Sequence, residues 1–257
     1  MARRWIFAVV HNPFARGGVS SYAGVPRIES DRSLASSPPL LVFDLDGTLC
    51  ETADDLISTL NVVLAHEGAA PVAGASARTM VGRGARDLIR RGLAASNREV
   101  SPQRIEQLFG DFLAHYNAHV ADHSFLFPGV TATLDRFAAA GSRFAVCTNK
   151  IEAPSVKLLE LLGVAHRFSA ICGQDTFAVC KPHPEALLQT IARAGGIPAR
   201  SIMVGDSKTD IDTARAAGIP VIAVDFGYTD VHVSELGPDA VISHFDELWD
   251  AVARLPI

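Results

Sequence analysis

A short apolar run, Leu40–Phe43, leads directly into two acidic residues, Asp44 and Asp46, and Gly47 then interrupts the pattern. Four consecutive apolar residues, rich in β-forming types, predict a buried strand, and the glycine marks where it stops. Open α/β sheets bind their ligands at the carboxyl ends of strands, which is where these carboxylates fall. Two like charges held this close repel each other, so folding alone explains them poorly. We therefore expect a cation or a catalytic task at this strand end.

From residue 40 onward, apolar runs of strand length alternate with helical patterns. This alternation predicts an α/β fold with a Rossmann-like, doubly wound parallel sheet and helices on both faces. Between the first strand and about residue 125 the pattern is helical without a convincing strand, which predicts an inserted helical cap over the ligand edge of the sheet. The predicted domains are an α/β core over 39–53 and 125–257 and a cap over 54–124.

Individual elements follow from periodicity and from residues typical of helix ends. A first helix is predicted from Thr52, a favoured N-cap residue, to Gly68, and a long helix from 101 to about 120. Residues 125–129 interrupt the pattern. Further helices are predicted at 130–140, 153–162, 184–194, 209–217 and 244–254, and further strands at 143–147, 169–172, 202–205, 221–224 and 240–242.

The first 38 residues differ from the rest of the chain, because they contain five arginines and two acidic residues and show no sustained period. An apolar stretch after Arg3 and Arg4 resembles the start of a signal peptide, but it is short and lacks a small-residue cleavage site. We predict a disordered extension, or a start assigned too far upstream. Residues 1–36 are then expected to be dispensable for activity.

Charge and composition disfavour some classes of partner. A net charge of −5 gives no electrostatic reason to expect nucleic acid. No apolar run approaches the ~18 residues needed to span a bilayer, so no membrane partner is expected. The four cysteines form no Cys-x-x-Cys pair, which predicts reduced and mostly buried thiols in a cytoplasmic protein. Both a monomer and a homodimer fit these features.

Polar groups recur at the ends of other predicted elements. Thr148-Asn149-Lys150 and Gly205-Asp206-Ser207 each follow a strand, and Lys181-Pro182 precedes a helix. Because parallel strand ends share one edge of the sheet, these groups are expected to converge. The resulting set is Asp44, Asp46, Thr148, Asn149, Lys181, Asp206 and Asp210. Its four carboxylates would repel one another without a divalent cation, and all-oxygen ligands suit Mg²⁺.

Four motifs in this order resemble those of the haloacid dehalogenase-like hydrolases. They are Asp-x-Asp-Gly-Thr-Leu at 44–49, Thr-Asn-Lys at 148–150, Lys-Pro-His-Pro-Glu at 181–185 and Gly-Asp-Ser-x-x-Asp at 205–210. The resemblance extends from residue 40 to the C-terminus, with a helical insertion where one type of cap lies in that superfamily. Within it the chain is most similar to bacterial phosphoglycolate phosphatases, through stretches at 80–84, 181–185, 205–207 and 226–228.

The resemblance implies a role for each core residue. Asp44 would be the nucleophile that forms an aspartyl-phosphate, and Asp46 the acid that protonates the leaving alcohol and then activates water. Asp44, Asp46 and Asp206 would hold Mg²⁺, and Asp210 would orient a metal-bound water or Lys181. Phosphate oxygens would be bound by Thr148, Asn149 and Lys181. An acid at position 46 argues against the dehalogenases and cation pumps of the superfamily, which lack it.

Arg83 is the candidate substrate-binding residue in the cap, because flanking glycines allow close approach and an arginine suits a carboxylate. Arg86 is a rival for this role, and an ordinary surface position for Arg83 is the alternative. His115, His119 and His123 recur every four residues, but nothing supplies a third ligand, so a solvated helix face is predicted.

The predicted function is a Mg²⁺-dependent phosphatase acting on a small phosphorylated metabolite, 2-phosphoglycolate first among them. Other small phosphate esters (sugar phosphates, nucleoside monophosphates), pyrophosphate, and a mutase of the β-phosphoglucomutase kind are alternatives. A non-catalytic binding protein on the same fold is a remote alternative, because Asp44, Asp46, Lys181 and Asp206 are all present.

Overall fold

The computed structural model describes residues 38–229 and 231–256; of the predicted N-terminal extension, residues 1–37 lie outside this part. Its strands, in chain order, are β1 (Leu40–Phe43), β2 (Cys50–Glu51), β3 (Phe125–Leu126), β4 (Arg143–Cys147), β5 (Phe168–Cys172), β6 (Ser201–Gly205), β7 (Val221–Val224) and β8 (Ala240–Ile242). Six of them form one sheet in the order β5-β4-β1-β6-β7-β8, and every neighbouring pair is parallel. The predicted α/β fold with a Rossmann-like sheet is confirmed.

The α-helices of the described part are α1 (Ala53–His66), α2 (Gly74–Arg78), α3 (Ala85–Ala95), α4 (Pro102–Ala118), α5 (Val130–Ala139), α6 (Glu152–Leu161), α7 (Pro184–Arg193), α8 (Lys208–Ala217) and α9 (Leu248–Ala253). The last five of them cover the two faces of the six-stranded sheet. Side chains alternate along a strand, so β1 contributes to two cores. Leu41 and Phe43 pack in the core that α5, α6 and α9 cover, whereas Leu40 and Val42 pack in the core that α7 and α8 cover.

The segment between β1 and β4 holds helices α1 to α4, which pack on one another. Leu60 of α1 and Leu108 of α4 are fully buried there. Gly92 of α3 allows a close approach, because a Cβ at this position would lie 3.1 Å from the Leu60 side chain. The helices fall within the range predicted as a cap, and the division into core and cap stays a prediction.

A short two-stranded ribbon stands where the sequence indicated only an interruption. β2 pairs antiparallel with β3, with Cys50 opposite Leu126 and Glu51 opposite Phe125. The ribbon joins the chain just before α1 to the chain just after α4. It therefore fixes the two ends of the helical segment against each other.

The start of α1 is also held differently from the prediction. Thr52 is the N-cap residue, but its side chain makes no capping hydrogen bond. Instead the Tyr228 hydroxyl, 176 positions away, accepts from the Thr52 N–H at 2.6 Å and from the Ala53 N–H at 3.1 Å. The same hydroxyl donates to Glu51 Oε1 at 2.7 Å. The first turn of α1 is thus capped by a tertiary contact.

The last helix is shorter than the predicted range 244–254. Phe245–Glu247 forms a single 3₁₀ turn, and the α-helix runs from Leu248 to Ala253. His244 Nδ1 accepts from the Asp246 N–H at 3.2 Å, so the tighter turn takes the place of a regular helical start.

Candidate functional site

The three central strands of the sheet place a polar residue each at one edge. Asp44 follows β1, Thr148 follows β4 and Asp206 follows β6. Because β4, β1 and β6 are parallel neighbours, their carboxyl ends meet there. Carboxylate oxygens of Asp44, Asp206 and Asp210 all lie within 4.8 Å of one another, and all three residues are buried. The structure therefore brings together Asp44, Asp206 and Asp210, three of the residues that the sequence predicts to converge.

Asp206 is oriented by its neighbours on two sides. The backbone N–H of Tyr228 donates to its Oδ2 at 2.8 Å, and Thr48 Oγ1 donates to its Oδ1 at 3.2 Å. Two glycines make room for the side chain. Gly47 has φ +85°, and a Cβ on Gly227 would lie 2.2 Å from the Asp206 Cβ. Neither position tolerates a side chain while Asp206 stays in place.

Asp210 lies in the first turn of α8 and is held by Ser207. Its Oδ2 accepts from the Ser207 N–H at 3.1 Å and from Ser207 Oγ at 2.6 Å, and the two residues form a capping box. Its Oδ1 accepts from Lys181 Nζ at 2.6 Å, and the same nitrogen lies 2.8 Å from Asp44 Oδ1. Lys181 thus bridges two carboxylates of the cluster.

The charges of this cluster perturb one another. Burial, with Asp210 and Asp46 nearby, raises the pKa of Asp44 to about 6, although Lys181 opposes the shift. Burial and the Asp210 and Asp44 carboxylates hold the pKa of Asp206 well above its ordinary value. Burial disfavours the charge of Lys181, but Asp210 and Asp44 together raise its pKa. Burial is thus the main cause of the two aspartate shifts, and the neighbouring carboxylates add to it.

The cluster fits a divalent cation with oxygen ligands. Three carboxylate oxygens converge, and in the described part of the chain Asp44 Oδ1 is buried without a hydrogen bond of good geometry. Buried polar atoms are rarely left in this state, so a ligand is the natural partner. Mg²⁺ and similar hard cations prefer such carboxylate ligands. Asp44, Asp206 and Asp210 would hold the ion.

Asp46, predicted as a further ligand, directs its carboxylate elsewhere. Lys150 Nζ lies 2.8 Å from its Oδ1 and 3.1 Å from its Oδ2. Thr52 Oγ1 donates to Oδ1 at 2.7 Å, which is why this hydroxyl does not cap α1. The carboxylate is therefore satisfied by two donors and lies outside the acidic cluster. Its predicted part in holding the metal is not tested by this geometry and stays a prediction.

The remaining predicted core residues line the same edge. Thr148 is buried, and its Oγ1 accepts from the Lys150 N–H at 3.2 Å. Asn149 is buried as well, and its Nδ2 donates to the Lys181 carbonyl at 3.1 Å. This contact ties the loop after β4 to the loop that carries Lys181.

Two cavities adjoin the site on different sides. One is lined by Asp46 and Lys150 together with residues of α1, α3 and α4. The other is lined by Asp206, Lys208, Tyr228 and Arg83. Arg83 therefore lies on the Asp206 side of the site. Its rival Arg86 is paired with Glu106, with nitrogen–oxygen distances of 2.7 to 3.0 Å, and stacks on Phe109.

Lys150 and Tyr228 are the site residues that sequence reasoning did not single out. Lys150 carried a signal, since it is the third residue of the Thr148-Asn149-Lys150 motif. Tyr228 lies in the stretch 226–228 that supported the resemblance, but nothing local indicated that it would hold both Asp206 and the start of α1.

Other candidates lie outside the site. His115 contacts Thr59 Oγ1 at 3.1 Å and His119 pairs with Asp122 at 2.7 Å. The four cysteines are free, as predicted: Cys50, Cys147 and Cys172 are buried and Cys180 is exposed. Among residues 38–229 and 231–256, no helix combines the length and apolar character needed to cross a membrane.

A family model, curated relatives and solved structures were compared with this chain, and they agree on the family. The model of the haloacid dehalogenase-like hydrolases matches residues 41–224. The chain is 52% identical over 218 residues to a phosphoglycolate phosphatase of Mesorhizobium japonicum, covering 85% of this chain and 96% of that protein. It is 48% identical over 214 residues to one of Agrobacterium fabrum, covering 83% and 92% of the two chains. The crystal structure of a predicted phosphoglycolate phosphatase from Haemophilus somnus matches with a TM-score of 0.78 and 28% identity, over 83% of this chain and 97% of that one. These similarities confirm the predicted resemblance.

Proposed function

Because the chain belongs to the haloacid dehalogenase-like hydrolases, we propose that it hydrolyses 2-phosphoglycolate to glycolate and phosphate with Mg²⁺ as cofactor. It is a phosphoric monoester hydrolase, like its curated relatives. The observation that carries the proposal is the buried cluster of Asp44, Asp206 and Asp210, bridged by Lys181. The substrate is supported by two relatives at 48% identity or more, both named phosphoglycolate phosphatase.

The chemistry divides between the two aspartates of the first motif. An Asp44 oxygen attacks phosphorus, the bond from phosphorus to the glycolate oxygen breaks, and Asp46 gives its proton to that oxygen. Water then attacks the phosphoryl group on Asp44, Asp46 takes the proton from that water, and the bond from phosphorus to the Asp44 oxygen breaks, which releases phosphate and restores the Asp44 carboxylate. A divalent cation held by Asp44, Asp206 and Asp210 would offset the repulsion between the phosphate and Asp44. Phosphate monoesters need such help, since enzymes accelerate their hydrolysis by up to ~10²¹-fold.

The residues around these two aspartates support the transfer. Lys181, at 2.8 Å from Asp44 Oδ1, places a positive charge beside the attacking group and the phosphoryl oxygens. The Thr148 hydroxyl is available as a donor to a phosphoryl oxygen, since the contact that the structure gives its Oγ1 is one it accepts. The Asp44 N–H donates to the Val204 carbonyl at 2.9 Å, so the backbone N–H groups of Leu45, Asp46 and Asn149 would complete the phosphate site. Asn149 also fixes the Lys181 loop.

The test is phosphate release from 2-phosphoglycolate by the purified full-length chain. We expect activity with Mg²⁺, none with EDTA, and none in Asp44→Asn. Asp212→Asn is the matched control, because Asp212 lies on α8 beside Asp210 but its side chain is 41% exposed. A panel of sugar phosphates, nucleoside monophosphates and pyrophosphate should give lower kcat/KM. A tenfold preference for any of them, or interconversion of sugar phosphates, would contradict the proposed substrate.

A further inference from the structure

The cavity beside Asp46 differs in character from the rest of the site. Its walls are apolar side chains such as Leu56, Val81 and Phe112. The volume in which the centre of a water-sized group can lie is about 30 Å³. This is room for about two water molecules. If Asp46 protonates the leaving oxygen, the leaving group occupies this cavity. A leaving group of only a few non-hydrogen atoms fits.

Two side chains that line this apolar cavity, Lys150 and Tyr116, can donate hydrogen bonds. Lys150 is the cationic side chain among the described residues that line it, and its side chain is 5% exposed. Its ammonium lies against the Asp46 carboxylate and 4.5 Å from the centre of the Tyr116 ring.

Tyr116 also lines the cavity and is 1% exposed, and within the described part of the chain its hydroxyl has no hydrogen-bond partner. An unpartnered hydroxyl at this depth is costly unless a ligand completes it. Burial raises the pKa of Tyr116 to about 12, so the hydroxyl keeps its proton and stays a donor. The Lys150 ammonium likewise has three N–H donors and no acceptor.

We propose that Lys150 and Tyr116 form a subsite for a carboxylate carried by the leaving group of the substrate. Lys150 already donates to Asp46 but has three N–H donors, and the Tyr116 hydroxyl has no acceptor, so a carboxylate that accepts from both is favoured over a neutral alcohol. The small volume selects a carboxylate one carbon away from the ester oxygen. This inference rests on the proposed phosphatase function and explains, from the fold, why a phosphorylated two-carbon acid would be preferred.

Arg83, the residue that the sequence suggested for this task, stands in a different position. It is exposed and lines the cavity on the Asp206 side. The subsite beside Asp46 is instead built from Lys150, which follows β4, and from Tyr116 of α4. A carboxylate bound there would connect the helical segment to the sheet edge.

The experiment compares two substrates that differ only in the carboxylate, namely 2-phosphoglycolate and ethyl phosphate. The measured quantity is the ratio of their kcat/KM values in the wild type, Lys150→Met, Tyr116→Phe and Arg83→Ala. Tyr116→Phe keeps the ring and removes only the unpartnered hydroxyl, so it is expected to fold normally. Lys150→Met slows both substrates because Asp46 loses its partner, and the ratio separates that effect from substrate recognition.

We expect the ratio to fall about 100-fold in Lys150→Met and about tenfold in Tyr116→Phe, and to stay within twofold in Arg83→Ala. A large wild-type ratio that Lys150→Met and Tyr116→Phe leave unchanged would overturn the subsite. So would a collapse of the ratio in Arg83→Ala alone. A wild-type ratio near one would instead overturn the proposed substrate, and the subsite with it.

Discussion

Replacing Asp44 by asparagine is expected to stabilise the metal-free protein at neutral pH, although it removes the proposed nucleophile. Asp44 is buried against Asp206 and Asp210, and Lys181 is shared between Asp44 and Asp210. Asparagine has nearly the same shape and cannot ionise. Lys181 keeps Asp210, at 2.6 Å, as its partner in the variant. The substitution therefore removes the cost of burying this charge, and its repulsion by the other carboxylates, without leaving a buried ammonium alone.

The magnitude follows from the pKa of Asp44, which is raised from 3.8 to about 6. One pKa unit corresponds to about 1.4 kcal/mol, so ionising Asp44 in the folded state costs about 3 kcal/mol. The folded state binds this proton more tightly than the unfolded state does. The stabilisation that this bound proton gives to the folded state is complete below pH 3.8. It is lost as the pH rises through about 6 and is absent above that pH. Asparagine does not ionise, so the free energy of unfolding of Asp44→Asn is expected to exceed that of the wild type by about 3 kcal/mol above pH 7.

Urea denaturation with EDTA measures the effect. At pH 7.5 Asp44→Asn should have the larger free energy of unfolding, and the difference from the wild type should shrink toward zero near pH 4. Saturating Mg²⁺ should stabilise the wild type more than the variant, because the ion binds the folded cluster. Asp212→Asn, on the exposed side of α8, should change little at either pH. A variant that is no more stable than the wild type at pH 7.5 in EDTA would refute the reasoning.

Two further substitutions test neighbouring parts of the site. Asp46→Asn should destabilise the protein by about 2–4 kcal/mol in the same assay, because Lys150 stays buried without its carboxylate. It should preserve metal binding, measured by Mn²⁺ titration, while kcat falls at least ~100-fold, and near-normal turnover would contradict the acid–base role. Gly227→Ala should displace Asp206 and weaken metal binding at least tenfold, since its Cβ would lie 2.2 Å from the Asp206 Cβ. Gly110→Ala, which meets open space on α4, is the control and should retain metal affinity and gain about 0.5–1 kcal/mol in helix stability.

The sequence alone predicted where the strands end, because each strand end is marked by residues that are adjacent in the chain. The run Leu40–Phe43 is apolar and β-forming, and the structure buries all four residues in β1. Asp44 and Asp206 both follow such runs, so parallel pairing brings them to one edge without further information. Helices with clear ends, such as α5 before Gly141, were located within one or two residues.

Contacts between distant segments could not be predicted in this way. The β2–β3 ribbon contains two residues per strand, too few for a periodic signal, and it pairs segments on either side of the helical insertion. Thr52 has the residue type of an N-cap, but its hydroxyl donates to Asp46 and the Tyr228 hydroxyl takes its place. Lys150 belongs to the Thr148-Asn149-Lys150 motif, but its partner is 104 positions away, and only the tertiary fold buries it against Asp46.

The two aspartates of the first motif acquire different tasks from the lysines that reach them. Lys181 is shared by Asp44 and Asp210, whereas Lys150 lies against Asp46, which also accepts from Thr52. The negative charge that is not neutralised therefore gathers on the side of Asp44, Asp206 and Asp210. A cation would be attracted to that side, whereas the Asp46 charge is paired with the Lys150 ammonium. The proposed acid–base role of Asp46 fits this division, because its carboxylate lies beside the apolar cavity proposed for the leaving group, where a proton can pass to that group and then be taken from water.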